Sequence, residues 1–197
     1  MKEINKIINK ALFLTFLVFS VEVESKIISE GNKDAKVVVK VFSSLTCPAC
    51  ANFHSKIYYQ LKRDFIEGGM IRFEHHPFPL DLAALNAEII LRCHVDNEKR
   101  FQFLGKIYEK QKSWAVGSDI NVINDSIKKI GQEVDLIDEE MNKCLENEKS
   151  QDEILNQRIE AQKKYKIEST PTILINGKRY LGAIEYKQFK KILEKNL

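Results

Sequence analysis

The stretch Lys36-Val-Val-Val-Lys-Val-Phe-Ser-Ser-Leu-Thr-Cys47-Pro-Ala-Cys50-Ala-Asn-Phe53 decides the fold. Its first part, Lys36 to Phe42, is short, β-branched and almost continuously apolar, as a central buried strand requires. Ser43-Ser44-Leu45-Thr46 breaks that run, and a Cys-X-X-Cys pair follows. From Cys50 onward, Phe53, Ile57, Leu61 and Phe65 recur at intervals of three and four. That spacing predicts one apolar face of a helix reaching about Ile66, with Gly68-Gly69 as its end.

A cysteine pair at a strand-to-helix junction has a chemical logic. Cys47 would sit near the N-cap, where unpaired backbone N–H groups and the helix dipole stabilise an anion. That makes it the attacking thiolate. Cys50, one turn later on the apolar face, would be the buried resolving thiol. Pro48 suits the first helical position, where its missing N–H is not needed. A zinc half-site is the competing reading, and it needs two further ligands. His54, His75, His76, Cys93 and His94 are available, but none forms a second Cys/His pair of the usual zinc-finger spacing. His75 and His76 are adjacent, so they point to opposite faces of a strand. A purely structural Cys47–Cys50 bridge would close too short a loop to contribute much. The expectation is therefore a redox pair with no metal and no cofactor.

Toward the N-terminus, Lys2, Lys6 and Lys10 precede an uncharged apolar run from Ala11 to Val21, and small residues follow at Ser20 and Ser25. This is the pattern of a secretory signal peptide over residues 1–25, cleaved after Ser20 or Ser25. The run is short for a membrane span, which takes about 20 apolar residues. Export would place every later cysteine in an oxidising compartment.

Toward the C-terminus, Ile71 to His75 alternates as a second strand, ended by His76-Pro77-Phe78-Pro79. Residues 81 to about 165 are helical throughout: Leu82, Leu85, Ile89 and Cys93 share one face, and Ile137, Met141, Cys144 and Leu145 another. Ser118-Asp119 reads as a helix start and Gly131 as a stop. Strands return at Thr172 to Ile175 and at Lys178 to Leu181, across the hairpin signal Asn176-Gly177. Glu185 to Leu197 closes the chain as a helix. The order predicts an α/β fold, a small mixed sheet with helices on both faces and an inserted helical block. Just before the third strand, Ser169-Thr170-Pro171-Thr172 offers an X–Pro bond that can be cis.

The chain's 197 residues suit one domain, or one domain carrying an insertion. Hydrophobic residues at 44% allow a real core. The net charge of +3 is scattered, and the lysine-rich patches are interleaved with Glu or apolar residues. They read as solvated helix faces, which excludes a nucleic-acid footprint.

With these residues in view, the chain resembles the DsbA family of bacterial thioredoxin-fold disulfide oxidoreductases. The resemblance spans essentially the whole mature chain. It rests on Cys47-Pro48-Ala49-Cys50, on Phe78-Pro79-Leu80-Asp81 leading into Ala83-Ala84 and Arg92-Cys93, and on Trp114. It rests also on Ser169-Thr-Pro-Thr172 and Ile175-Asn-Gly177. The resemblance implies a thioredoxin-like domain over 26–80 and 166–197, with an inserted all-helical domain over 81–165. It implies Cys47 as nucleophile, Cys50 as its partner, and Pro171 as a cis-proline facing them. The backbone of Thr170 would pair with an extended substrate strand. In the alphaproteobacterial branch, cysteines matching Cys93 and Cys144 form a second, structural disulfide. From the residues alone, two buried free thiols are the preferred reading in a reducing compartment, and a disulfide the preferred one after export.

The implied function is a periplasmic protein thiol:disulfide oxidase. It would donate the Cys47–Cys50 disulfide to exported proteins with free thiols through a mixed disulfide, and be recycled by an inner-membrane quinone-linked partner. A monomer is expected. An isomerase or reductase kept reduced on the same fold is the alternative. Members of that kind usually carry an N-terminal dimerisation domain, for which few residues separate the signal from the first strand. A redox-inert peptide binder is a third reading, against which two intact cysteines argue. Two departures from the family pattern bear on strength. Ala49 brings no ring nitrogen to the pair, which predicts a less depressed Cys47 pKa and a weaker oxidant than Pro-His members. Val37 to Thr46 also lacks a carboxylate beneath the cysteines; Glu74 is the nearest substitute, though a solvent-facing Glu74 is expected. His54 and His94 are expected as structural residues, His54 on the surface of its helix.

Overall fold

The computed structural model describes residues 27–181 and 184–197. The leader expected over residues 1–25, with its cleavage positions, lies outside them. Among the described residues no helix is long and apolar enough to cross a membrane.

Five strands form one mixed sheet in the order β1-β3-β2-β4-β5. These are β1 (Ile28–Gly31), β2 (Val37–Ser43), β3 (Ile71–Pro77), β4 (Thr172–Ile175) and β5 (Lys178–Leu181). Strand β2 runs parallel to β3, with Val41 beside His75, and antiparallel to β4, with Val41 beside Ile173. Its buried Val37, Val39 and Val41 justify the reading of a central strand. Strand β1 is an addition to the expected set. It is four residues long, only Ile28 is buried, and its pairing with β3 supplies the order that its sequence does not. In the β4–β5 hairpin, Asn176 and Gly177 have φ of 46° and 82°, as a two-residue turn with both central residues left-handed demands.

Helix α1 starts at Pro48 and ends at Ile66, and it is not uniform. Its α-helical segments Pro48–Phe53 and Tyr59–Leu61 alternate with π turns at His54–Tyr58 and Lys62–Ile66. A row of apolar residues spaced by four drifts about 40° per step on a helix of ~3.6 residues per turn. The wider π turns take up that drift, and Phe53, Ile57, Leu61 and Phe65 all stay buried.

Six helices lie between β3 and β4: α2 (Leu82–Cys93), α3 (Asn97–Glu109), α4 (Gln111–Trp114), α5 (Ile120–Gln132), α6 (Asp138–Leu145) and α7 (Glu148–Tyr165). Helix α8 (Tyr186–Glu194) follows the hairpin. Helix α2 is buried on two sides. Ala87, Ile90 and Leu91 join the main core, while Leu85 and Ile89 pack with Ile154 of α7. The end residues Leu82 and Ile137 of the expected apolar faces are exposed instead. Asp119 caps α5 by accepting from the Asn121 N–H at 2.9 Å. Gly131, expected as a stop, lies inside the last turn of α5, where a Cβ would come within 2.4 Å of Met141 Sδ; it permits the close approach of α6.

Candidate functional site

Strand β2 delivers the chain to a short loop that places Cys47 at the N-cap of α1. Cys47 is extended (φ −78°, ψ 118°), Pro48 begins the helix, and no side chain caps it. The Cys47 N–H donates to Ser44 O at 3.1 Å, and Cys47 O accepts from the Cys50 and Ala51 N–H groups. Both thiols are free, Cys47 at 8% exposure and Cys50 at 1%.

The peptide bond Thr170–Pro171 is cis. It immediately precedes β4, whose pairing with β2 brings Thr170 against the cysteines: Cys47 Sγ lies 3.4 Å from Thr170 O. Two segments 123 residues apart thus meet, with Thr170 and its cis bond to Pro171 beside Cys47 and Cys50.

The two thiols are electrostatically unequal. The Cys47 pKa is pulled down to about 5, first by a hydrogen bond from the Cys50 thiol. Burial opposes this, and contact with Thr170 and the backbone N–H groups of Cys50 and Ala49 add to it. The Cys50 pKa is pushed far up, first by burial and then by the neighbouring Cys47 sulfur. One sulfur is a thiolate at neutral pH and the other a thiol. A thiolate so held can attack a disulfide, and as a leaving group it is easily released. The strongest support for the thiolate is the partner cysteine. The helix terminus, on which the reading of Ala49 placed most weight, contributes less.

Beneath the pair lies a buried polar floor. Tyr108 is fully buried near Ser43 and both cysteines, and burial raises its phenol pKa. On β3, His75 Nε2 is 2.6 Å from Glu88 Oε1 of α2, and His75 Nδ1 is 3.3 Å from Ser43 Oγ; His75 and Glu88 are both buried. His75 and His76 do point apart, since His76 Nε2 meets Glu74 Oε2 at 2.8 Å on the other face. Glu74 corrects an expectation. It is only 4% exposed, and Lys40, Arg72 and His76 surround it. It shares its face with Lys40, while Cys47 and Cys50 pack with Val39, Val41 and Phe73 on the opposite face. It is neither solvent-facing nor beneath the cysteines. His54 corrects another, being buried rather than on the surface.

Residues that sequence reasoning passed over brace the loop. Gln111 of α4 donates through Nε2 to Leu45 O at 2.7 Å and to Cys47 O at 3.0 Å. Thr46 Oγ1 donates to Asp81 Oδ2 at 2.7 Å, and Asp81 caps α2 by accepting from the Ala84 N–H. Nothing in the local pattern around Gln111 marks it, because its partners are carbonyls some sixty residues away. Trp114 is fully buried and its indole N–H donates to Ile107 O at 2.8 Å, a packing role. Away from this surface, Cys93 of α2 and Cys144 of α6 are joined in a disulfide, with Cα atoms 6.0 Å apart.

Comparison with known proteins agrees with this geometry. The crystal structure of Wolbachia pipientis alpha-DsbA1 superposes with a TM-score of 0.80 at 25% identity, covering 86% of this chain and 90% of that one. Disulfide bond formation protein D of Bacillus subtilis is 30% identical over 176 residues, 85% of this chain and 75% of its own length. A Rickettsia bellii relative is 34% identical over 101 residues, which is 51% of this chain and 39% of that protein, so the match spans less than half of its length. The sequence profile described as thioredoxin matches residues 24–195. By that match the chain belongs to the thioredoxin family, related to disulfide bond formation protein D and with the fold of a DsbA protein.

Proposed function

We propose that the protein oxidises pairs of thiols in other polypeptides, with Cys47 as the exchanging sulfur and Cys50 as its partner. The unequal thiols carry this reading: Cys47 is held as a thiolate near pKa 5 while burial keeps Cys50 protonated. Stabilising the reduced thiolate makes the corresponding disulfide a better oxidant.

In the oxidised form a substrate thiolate attacks Cys47 Sγ. The Cys47–Cys50 bond breaks, a substrate–Cys47 disulfide forms, and Cys50 leaves as a thiolate that takes up a proton. A second substrate thiolate then attacks the substrate sulfur of that mixed disulfide and releases Cys47 as its stabilised thiolate. The substrate loses two electrons and the enzyme gains them; the free thiols of the present structure correspond to that reduced product. Thr170, beside the cis-proline, offers backbone groups for an extended substrate segment. We take 26–80 and 166–197 as the reacting unit, 81–165 as the helical unit that braces it through Gln111 and Asp81, and the Cys93–Cys144 bridge as structural.

The apolar run between Lys10 and Glu22 supports export, and with it a periplasmic setting and a membrane-bound partner that reoxidises the pair. Acid-trapping the protein in growing cells and alkylating free thiols tests the direction of transfer. The oxidase reading requires Cys47 and Cys50 to be mostly disulfide; a mostly reduced pair contradicts it and favours an isomerase or reductase.

A further inference from the structure

Cys50 is 1% exposed, yet each reaction cycle asks it to take up a proton when it leaves and to lose one when the disulfide is remade. A sulfur so enclosed exchanges no proton directly with bulk water, so the proton has to be held by the protein. The buried polar floor under the cysteines contains groups that the exchange chemistry above leaves unused.

Three observations tie that floor to Cys50. First, it lies on the right face of the sheet. His75 shares a side of β3 with Phe73, which packs with Cys47 and Cys50, and Ser43 follows Val41 on the matching side of β2. Second, the floor has a place for a variable proton. Glu88 Oε1 stands 2.6 Å from His75 Nε2, so one proton lies between them. That leaves Nδ1, 3.3 Å from the Ser43 hydroxyl, as the nitrogen that can gain or lose a proton. Behind the carboxylate, Arg92 Nε is 3.9 Å from Glu88 Oε2, a fixed cation that balances Glu88 while the imidazole changes charge. Third, Tyr108 of α3, near Ser43 and both cysteines, has a buried hydroxyl with no hydrogen-bond partner in this reduced protein. An unpaired buried donor is costly. It gains its use where negative charge develops beside it, and Cys50 Sγ is such an atom when the disulfide opens.

We propose that Tyr108, Ser43 and the His75–Glu88 pair form a proton store for Cys50, filled in the oxidised protein and emptied in the reduced one. The assignment rests on the oxidoreductase reading. A substrate thiolate bonds to Cys47 Sγ and is oxidised to the mixed disulfide, and the electron pair of the broken Cys47–Cys50 bond goes to Cys50 Sγ. One proton moves from Tyr108 Oη to Cys50 Sγ, one from Ser43 Oγ to Tyr108 Oη, and one from His75 Nδ1 to Ser43 Oγ. The net change is a Cys50 thiol and a His75 ring that keeps only its proton toward Glu88. When the disulfide is remade, Cys50 loses its proton and the store refills by the reverse path. Of the other titratable groups around the store, His54 of α1 packs on Tyr108 with ring centroids 5.0 Å apart. Burial lowers its pKa to about 3, so it takes up no proton at neutral pH. Lys62 of α1 is turned to Glu30, Glu153 of α7 faces Arg92, and His76 and Glu74 pair on the other side of the sheet.

The test reads the ring itself. The full chain is labelled with nitrogen-15 histidine, and proton–nitrogen correlation spectra of its oxidised and reduced forms are compared at neutral pH. His75 should carry protons on both nitrogens when the protein is oxidised and on Nε2 alone when it is reduced; His76, on the far face, is the reference. A second measurement follows a single turnover of the oxidised chain with a dithiol peptide. Tyr108→Phe keeps the ring and removes only the unpaired hydroxyl, a change that packing alone would tolerate without loss of speed. As a link in the store, its removal should slow opening of the disulfide about a hundredfold. The ring measurement uses the unaltered chain, so it decides the matter even if the variant fails to fold. A His75 ring with the same protons in both redox forms overturns the proposal, as does a folded Tyr108→Phe chain as fast as the unaltered one. Oxidation of no dithiol peptide by the unaltered chain would instead overturn the oxidoreductase reading itself.

Discussion

Cys47 and Cys50 stand three residues apart at the start of α1 with free thiols, whereas Cys93 and Cys144, 51 residues apart, join two neighbouring helices. The first pair closes a loop too small to restrain the unfolded chain. Its value lies in the inequality of its sulfurs, one stabilised as an anion and one kept protonated by burial. The second pair closes a long loop and ties α2 to α6. On the proposed reading identical side chains serve reactivity in one place and constraint in the other, and the surroundings decide which: a helix N-cap opposite a backbone carbonyl, or two helix flanks packed on one another.

Four changes can break or sharpen that contrast. The largest effect belongs to Cys47→Ser, which removes the thiolate; oxidation of a dithiol peptide should fall at least about a thousandfold while the fold persists. Cys50→Ala should leave Cys47 reactive but accumulate the mixed disulfide, seen as a covalent adduct by intact-mass measurement. It should also raise the Cys47 pKa, because the Cys50 thiol is the main support of the thiolate.

Next is the Cys93→Ala/Cys144→Ala double variant. Chain-entropy arguments for a loop of 51 residues give about 4 kcal/mol of lost stability. At ~2–4 °C per kcal/mol for a chain of this size, Tm should drop by about 8–16 °C. Activity per folded molecule should be unchanged; a large loss of turnover at a temperature where the variant is folded would assign the second pair a chemical role.

Gln111→Leu comes fourth. It removes two hydrogen bonds from the loop and leaves the Leu45 and Cys47 carbonyls without that donor. A loss of about 1–3 kcal/mol is expected in denaturant unfolding, with slower peptide oxidation as the loop loosens.

A further test is the pH dependence of stability in the reduced form. The folded pKa of Cys47 is below its unfolded value, so its contribution is full above about pH 9 and is lost as pH falls through about 5. Cys50 is shifted the other way and stays protonated in the fold, so it opposes stability only above about pH 9. Between pH 5 and 9 the reduced protein should therefore gain Tm relative to the oxidised protein as pH rises. A difference independent of pH would remove the asymmetry.

Much of this was legible in the chain because the signals were local. Val37 to Phe42 is apolar at every position but one, Pro48 follows Cys47 directly, and Asn176-Gly177 can form one kind of turn. Glu74 was misjudged because its partners, Lys40, Arg72 and His76, come together only when β2 and β3 pair. His54 was misjudged because a π turn rotates it inward and α3 then covers it, neither of which a helical period of 3.6 foretells. Gln111 carried no signal, since its role is defined by carbonyls on the far side of the site. Strand β1 was missed because one buried residue in four leaves no alternation to read.

The central claim is that Cys47 is a stabilised thiolate beside a protonated Cys50. Titrating the ultraviolet thiolate absorbance of the reduced protein, with Cys47→Ser as the blank, tests it directly. The account predicts a single transition with a midpoint of about 5 and no second cysteine transition below about pH 9. A midpoint of about 8–9, that of an ordinary cysteine, would contradict it.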